Sequence, residues 1–320
     1  MSVMAHPQLA TILVGALMLT AGLAGCGAPG ATTATRSPTP TLPFAFGAPT
    51  NLGPGINTLG FDGGPSLSAD GLSLYYISER DGGSGGGDIW MTTRPTPSAS
   101  FAAPGNLGST VNSPGDEGAP SISHDGLSLY FDADPSRPGG LGSGDIWLTT
   151  RASVSDPFGV PSNPGAPVNS QYADGFPSIS ADGRSLYFAS DRPGGSGDSD
   201  IWVATRGTTA EPFSVVANLG PVVNSAATDV SPTISADGLA LFFASDRSGT
   251  MGVLDLWVAL RPTTASPFGP PINLGPAVNS PADDLRPTPS PDGSTLFFMS
   301  RREGGLGFFD LWMAPMRRQG

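Results

Sequence analysis

The sequence predicts an all-β chain folded as a five-bladed β-propeller. Its four-stranded antiparallel blades are closed by an N-terminal strand that joins the last blade. Three observations predict this. A unit of about 55 residues recurs five times, and a period of that length marks a repeat architecture. Each unit holds four short strand-like runs separated by turn residues. The chain also opens with the tail of a repeat that its last unit lacks.

The unit is fixed by two ladders. Asp-Gly pairs begin at Asp70, Asp125, Asp182, Asp237 and Asp292, with spacings of 55, 57, 55 and 55. The tryptophans fall at 90, 147, 202, 257 and 312, with spacings of 57, 55, 55 and 55. The two extra residues therefore lie between Asp125 and Trp147, in the loop DADPSRPGGLGSG. Within a unit, strand A is P-[ST]-x-S, as in PSIS from Pro177. The Asp-Gly pair then turns the chain, the strongest short hairpin signal. Strand B, SLYFAS from Ser185, is aromatic and apolar. A Gly-rich loop leads to strand C, DIWVATR from Asp200, and strand D lies near FSVVANLG from Phe213. Four antiparallel strands in each of five units make a propeller.

The opening segment FGAPTNLGPGINT, from Phe46, matches the tails FAAPGNLGSTVNS, FGVPSNPGAPVNS, FSVVANLGPVVNS and FGPPINLGPAVNS of the later units. The fifth unit stops at Met316, before any fourth strand. Asn51 stands 19 residues before Asp70, as Asn273 stands 19 before Asp292. The early segment is therefore expected to be strand D of the last blade, closing the ring and hiding its edges.

Composition agrees. The 45 Gly and 34 Pro make up about a quarter of the chain, but they recur at fixed offsets and so act as turn punctuation. The net charge is −12, all 15 basic residues are Arg, and the first of 27 acids is Asp62. Such a surface argues against nucleic acid, whose phosphates need a basic face. It is equally poor for adhering to anionic lipid, so membrane contact is expected only through an anchor.

That anchor is expected at Cys26, the sole cysteine. Residues 9–25 are apolar and end in small residues, the pattern of a signal-peptide core. The run LAGC resembles the bacterial lipoprotein signal, in which the Cys becomes the lipidated first residue. The expected organisation is a signal peptide over 1–25, a lipidated Cys and flexible tether over 26–42, and the propeller over 43–320. Gly27 stands where an Asp favours inner-membrane retention in some bacteria. The expected location is therefore the outer membrane, facing the periplasm.

The unit PSISADGRSLYFASDRPGGSGDSDIWVATR closely resembles the PD40, or WD40-like, repeat of TolB-like propellers. The resemblance recurs five times over about 43–320. It implies an envelope binding scaffold and no particular chemistry. TolB-like propellers usually have six blades with shorter repeats, from which five of about 55 residues depart.

The candidate sites follow from the repeat. Five residues after each V-N or I-N asparagine comes an acid: Asp62, Glu117, Asp174, Asp229 and Asp284. Five carboxylates near a channel mouth would concentrate negative potential and suit a hard cation. The structural alternative, which this reading favours, pairs each with an arginine such as Arg94, Arg151, Arg206 or Arg261, or with backbone N–H groups. The acids before Trp, namely Asp88, Asp145, Asp200, Asp255 and Asp310, are expected to fasten the Gly-rich loops. The five Trp are expected between blades.

Catalytic motifs are poor. GGSGG around Ser84 fits a nucleophile elbow by letter, but no strand-turn-helix surrounds it. His124 is the only histidine after the signal, so neither a Ser-His-Asp triad nor a zinc site is expected. GGLGSGD and GGSGDSD miss the calcium nonapeptide register, and the Gly-rich loops open no helix that would cradle phosphate. A glycosidase needs two carboxylates with different roles, hence acids that break the repeat. These are Glu79, Asp116, Asp132, Asp134, Asp198, Glu211 and Glu303, among which no pair stands out. The expectation is therefore a non-enzymatic envelope lipoprotein without cofactor, catalytic residue or resident metal. Its loops after strand B, such as 132–144 and 246–254, would bind a protein partner. Cell-wall carbohydrate or peptidoglycan is the second reading and glycoside activity the third.

Overall fold

The computed structural model describes residues 42–319. The expected signal, Cys26 and nearly all of the tether lie outside them. The described chain is all-β: five antiparallel blades arranged as a propeller.

Two short strands come first, β1 (Phe44–Phe46) and β2 (Thr50–Asn51). Blade 1 is β3 (Asp62–Leu67), β4 (Ser73–Ser78), β5 (Asp88–Thr93) and β6 (Gly105–Asn106). Blade 2 is β7 (Glu117–Ile122), β8 (Ser128–Ala133) and β9 (Asp145–Thr150). Blade 3 is β10 (Asp174–Ile179), β11 (Ser185–Ser190), β12 (Asp200–Thr205) and β13 (Val215–Asn218). Blade 4 is β14 (Asp229–Ile234), β15 (Ala240–Ser245), β16 (Asp255–Leu260) and β17 (Ile272–Asn273). Blade 5 is β18 (Asp284–Pro289), β19 (Thr295–Ser300) and β20 (Asp310–Arg318). In blade 2, strand D shrinks to one bridge, Leu148 to Ser162, between Pro161 and Pro164. Proline has no N–H to extend a ladder.

Strand B alternates between two neighbours, because successive side chains point to opposite faces of a strand. Tyr75 and Ile89 of blade 1 pack with Leu129, Phe131 and Trp147 of blade 2. Tyr130 and Ile146 of blade 2 pack in turn with Leu186, Phe188 and Trp202 of blade 3. Blades 3 and 4 repeat the arrangement through Tyr187, Ile201, Phe243 and Trp257. The core is therefore a set of inter-blade layers, in which each buried large apolar side chain contributes about 1.5–3 kcal/mol.

The early segment closes the ring as expected. β1 pairs with β20 from Phe44–Arg318 to Phe46–Met316, and β2 pairs Thr50 with Met313 and Asn51 with Trp312. Asn57 then accepts from Leu311 N at 2.8 Å and donates to Leu311 O at 3.0 Å. Asn112 makes the same pair of bonds to Ile89. Two asparagines per unit thus pin strand D and the following loop to strand C, and the ring closes with the same bonds.

Candidate functional site

Strand A starts at the acid and ends at the Asp-Gly hairpin. The B–C and D–A loops therefore share one face, the loop face. The hairpins and C–D loops share the other, the hairpin face.

The five acids at the start of strand A are buried, their side chains 0% exposed. Each has its own arginine: Asp62 with Arg80 (3.2 Å), Glu117 with Arg137 (2.7 Å), Asp174 with Arg192 (2.5 Å), Asp229 with Arg247, and Asp284 with Arg302. Each also accepts a backbone N–H four residues upstream, from Thr58, Ser113, Ser170, Ser225 or Ser280. Burial pushes Glu117 up to about 7, against the Ser113 bonds and Arg137. Burial likewise raises Asp62 and Asp284. The same guanidinium carbons stand 5.1–5.4 Å from the tryptophan ring centroids, as Arg137 does from Trp147 and Arg192 from Trp202. Among the described residues, no three acids, histidines or cysteines gather as a metal would require.

The arginines proposed from the sequence as partners are corrected. Arg94, Arg151, Arg206 and Arg261 donate Nε–H to the carbonyls of Gly71, Gly126, Gly183 and Gly238 in the hairpins. They stack on Phe101, Phe158, Phe213 and Phe268 at 4.4–4.5 Å. Two arginine ladders therefore exist, one per face. The acids use the ladder that begins at Arg80.

The acids before Trp do fasten the Gly-rich loops. Asp88, Asp145, Asp200, Asp255 and Asp310 accept N–H bonds from Ser84, Leu141, Ser196, Met251 and Leu306. Ser84 thus serves the loop. The tryptophans are buried between blades, each beneath its arginine. His124 is exposed beside a hairpin turn.

Unforeseen from the sequence is the axis. The third residue of strand A is left-handed in every blade: Gly64 (φ 62°), Ala119 (47°), Phe176 (58°), Ser231 (56°) and Arg286 (57°). Each precedes a proline, which ordinarily drives its neighbour to extended backbone. Non-glycine residues held there carry roughly 1–3 kcal/mol of strain each. The conformation sends Arg286 of blade 5 across the channel. Its guanidinium carbon lies 3.9 Å from the centroid of Phe176 of blade 3, and Nη2 lies 3.9 Å from Asp132 Oδ2 of blade 2. Phe176 N donates to that Oδ2 at 2.7 Å. Asp132 stands where the other blades have Ile77, Ala189, Ala244 and Met299. Gly175 leaves it room, since a Cβ there would come within 2.8 Å of Oδ2. Burial brings Arg286 down to about 10, partly offset by Asp132. Of the acids that break the repeat, Asp132 is the one tied to this axial group. Glu79, Asp198 and Glu303 are exposed on the loop face.

The loop face carries exposed apolar side chains, five of them on blades 4 and 5 and the D–A loop that follows, with Leu141 of blade 2 (54%) and Val222 after blade 3 (53%) also exposed. Leu306 and Phe308 of blade 5 (42% and 47% exposed) flank Leu59 (86%), and Phe308 N donates to Gly60 O at 3.1 Å. Met251 and Val253 of neighbouring blade 4 are 46% and 50% exposed. The corresponding loop of blade 1 is GGSGGG and that of blade 3 is GGSGDS.

No family model matches the chain, and no curated protein matches it. Solved structures do. An α-L-arabinofuranosidase from Lactobacillus brevis is similar with a TM-score of 0.53 at 15% identity, over 82% of this chain and 92% of that one. An endo-arabinanase from Bacillus licheniformis gives 0.52 at 16%, over 81% and 94%. TolB from Acinetobacter baumannii gives 0.49 at 20%, over 82% of this chain and 55% of TolB, about half its length. At these identities the likeness is one of fold. It corrects the expectation that the chain is not an enzyme. Glycoside hydrolases share this fold, so a five-bladed propeller without a catalytic pair legible in its sequence is not thereby a scaffold rather than an enzyme.

Proposed function

We propose that the chain is a PD40-type, lipid-anchored propeller of the bacterial envelope whose loop face binds a protein partner. The observation that carries this reading is the exposed apolar sector Leu59, Met251, Val253, Leu306 and Phe308. Such side chains clustered on one face mark interaction surfaces. Two exposed acids stand by the sector, Glu79 beside Gly60 and Glu303 in the loop of Leu306, which favours a partner segment that is apolar and basic. Carbohydrate is less well served, because the tryptophans that would stack on sugars are buried.

The test uses the full chain in cells, with a photo-crosslinking residue at Met251 or Phe308 and a control at Val154 on the hairpin face. The expected result is one adduct from the first two positions, none from the third, and its loss with Leu306→Asp. Equal labelling from all three positions would overturn the reading. The anchor is tested by Cys26→Ser, which is expected to move the protein from the membrane to the soluble fraction.

A second reading, action on a glycoside, rests on Asp132, an acid that breaks the repeat at the axis. Release of sugar from arabinan, abolished by Asp132→Asn, would favour it over the scaffold reading.

A further inference from the structure

The channel opens on the hairpin face into a cavity of about 90 Å³. Its wall includes five hydroxyls at one height, one from each strand A: Ser66, Ser121, Ser178, Thr233 and Thr288. At roughly 30 Å³ per water, the space holds about three waters or one small ion.

The hydrogen bonds of this ring are lopsided. Ser66, Ser121 and Ser178 accept the N–H of Ile122, Ile179 and Ile234 in the next blade, each at 3.1 Å. A hydroxyl is one donor and two acceptor sites. Among the described residues, the three O–H hydrogens meet no acceptor. Thr233 has no isoleucine N–H to receive, because blade 5 places Pro289 there. Thr288 instead donates to Pro65 O at 2.8 Å. Two residues earlier on strand A, behind the residues that line the cavity, are two more unspent donors. Ser231 Oγ and Arg286 Nε are buried without a partner. The guanidinium meets Asp132 through Nη2, so Nε–H remains free for another acceptor.

We infer that this channel mouth binds a small oxyanion, of carboxylate or phosphate size, donated to by Ser66, Ser121, Ser178 and Thr233, with Arg286 behind them. The cavity presents hydrogen-bond donors whose partners must come from outside the chain. Each serine has one lone pair taken by an isoleucine N–H, and the positive charge of Arg286 behind the ring disfavours a cation. An oxyanion accepts several such bonds at once, and bonds to a charged acceptor are the stronger kind. The inference is independent of the partner on the loop face.

Calorimetric titration of the detergent-solubilised full chain with inorganic phosphate and with sodium acetate tests it. One saturable site per chain is expected for at least one of the two anions. Thr233→Val keeps the shape of the side chain and deprives no backbone group of a partner, so it folds normally. It is expected to weaken that binding about tenfold, the effect of about 1.4 kcal/mol. Arg286→Met is expected to weaken it further. Absence of saturable binding for either anion, or affinity unchanged in Thr233→Val, would overturn the proposal. So would binding of glycerol or a monosaccharide in place of both anions.

Discussion

At the residue scale, the hairpin aspartates show how the repeat stabilises itself. Asp125 Oδ1 accepts from Ser123 Oγ at 2.5 Å and from Leu127 N at 3.0 Å, holding Gly126 at φ 72°, which only glycine adopts easily. The Ser123 bond holds Asp125 below its ordinary 3.8, and Asp70, Asp182, Asp237 and Asp292 are also lowered. A carboxyl lowered in the folded state binds its proton more readily when unfolded. The stability it contributes is therefore present above pH 3.8 and lost as pH falls through the folded value. Asp125→Asn keeps an oxygen acceptor and removes the titration. The drop in urea midpoint from pH 7 to pH 3 is expected to be smaller in this variant than in the parent. An equal drop would mean the turn does not titrate with folding. These aspartates were legible, because an Asp-Gly ladder is a local signal. The ion-pair partners were half legible. The five acids stand out by spacing, but arginine recurs twice in most units, and spacing alone does not choose between the ladder of Arg94 and that of Arg80. The true partners sit 18 residues after Asp62, Asp174, Asp229 and Asp284, and 20 after Glu117, across a turn and a strand. That offset was readable in the sequence. That strand B carries the arginine back to the head of strand A was a fact of register.

At the scale of elements, strand pairing was the most legible feature, because each strand needs an edge and the last blade lacked one. The early segment supplies it, down to Asn51 donating to Asp310 at 2.8 Å, as Asn106 does to Asp88 at 3.0 Å. What the sequence obscured was blade 2, where the tail FGVPSNPG keeps the spacing but its prolines cut strand D to a bridge. Closure makes a specific prediction about chain order. Gln319 N donates to Pro43 O at 2.7 Å, so the two ends of the described chain already meet beside β1 and β20. A circular permutant joining 319 to 43, opened in the exposed C–D loop between Pro97 and Ser98, is expected to fold with the parent's far-ultraviolet circular dichroism. Its thermal midpoint should fall by no more than a few degrees. The same chain lacking 43–58 leaves β20 as a bare edge and is expected to aggregate. A soluble, two-state truncation would show that the ring does not depend on its closing strand.

At the scale of the whole molecule, the blades are held as neighbours by their layers, but one group ties blades that are not neighbours. Arg286 of blade 5 reaches Phe176 of blade 3 and Asp132 of blade 2 across the channel. This group was the least legible part. The residue before each strand A proline reads Gly, Ala, Phe, Ser and Arg, which in sequence is only variability. Its left-handed backbone, which turns the side chain into the axis, has no local signature. Asp132 could be singled out for breaking the repeat, but nothing in the sequence named a partner across the ring. The coupling can be measured. Asp132→Ala restores the residue of blades 3 and 4 but removes the Arg286 counterion and the acceptor of Phe176 N–H. Arg286→Met leaves the carboxylate buried without its cation. Each is expected to cost about 2–4 kcal/mol, because removing one member of a buried charge pair leaves the other uncompensated. The double variant has neither charge to bury, so its loss should be smaller than the sum by about 1–3 kcal/mol in a urea-unfolding cycle. Additive losses would mean that the two charges act separately and that blades 2, 3 and 5 are joined only through their neighbours. A positive coupling would make the axis a cross-brace that resists opening of the ring from within, while β1 and β2 close it from outside.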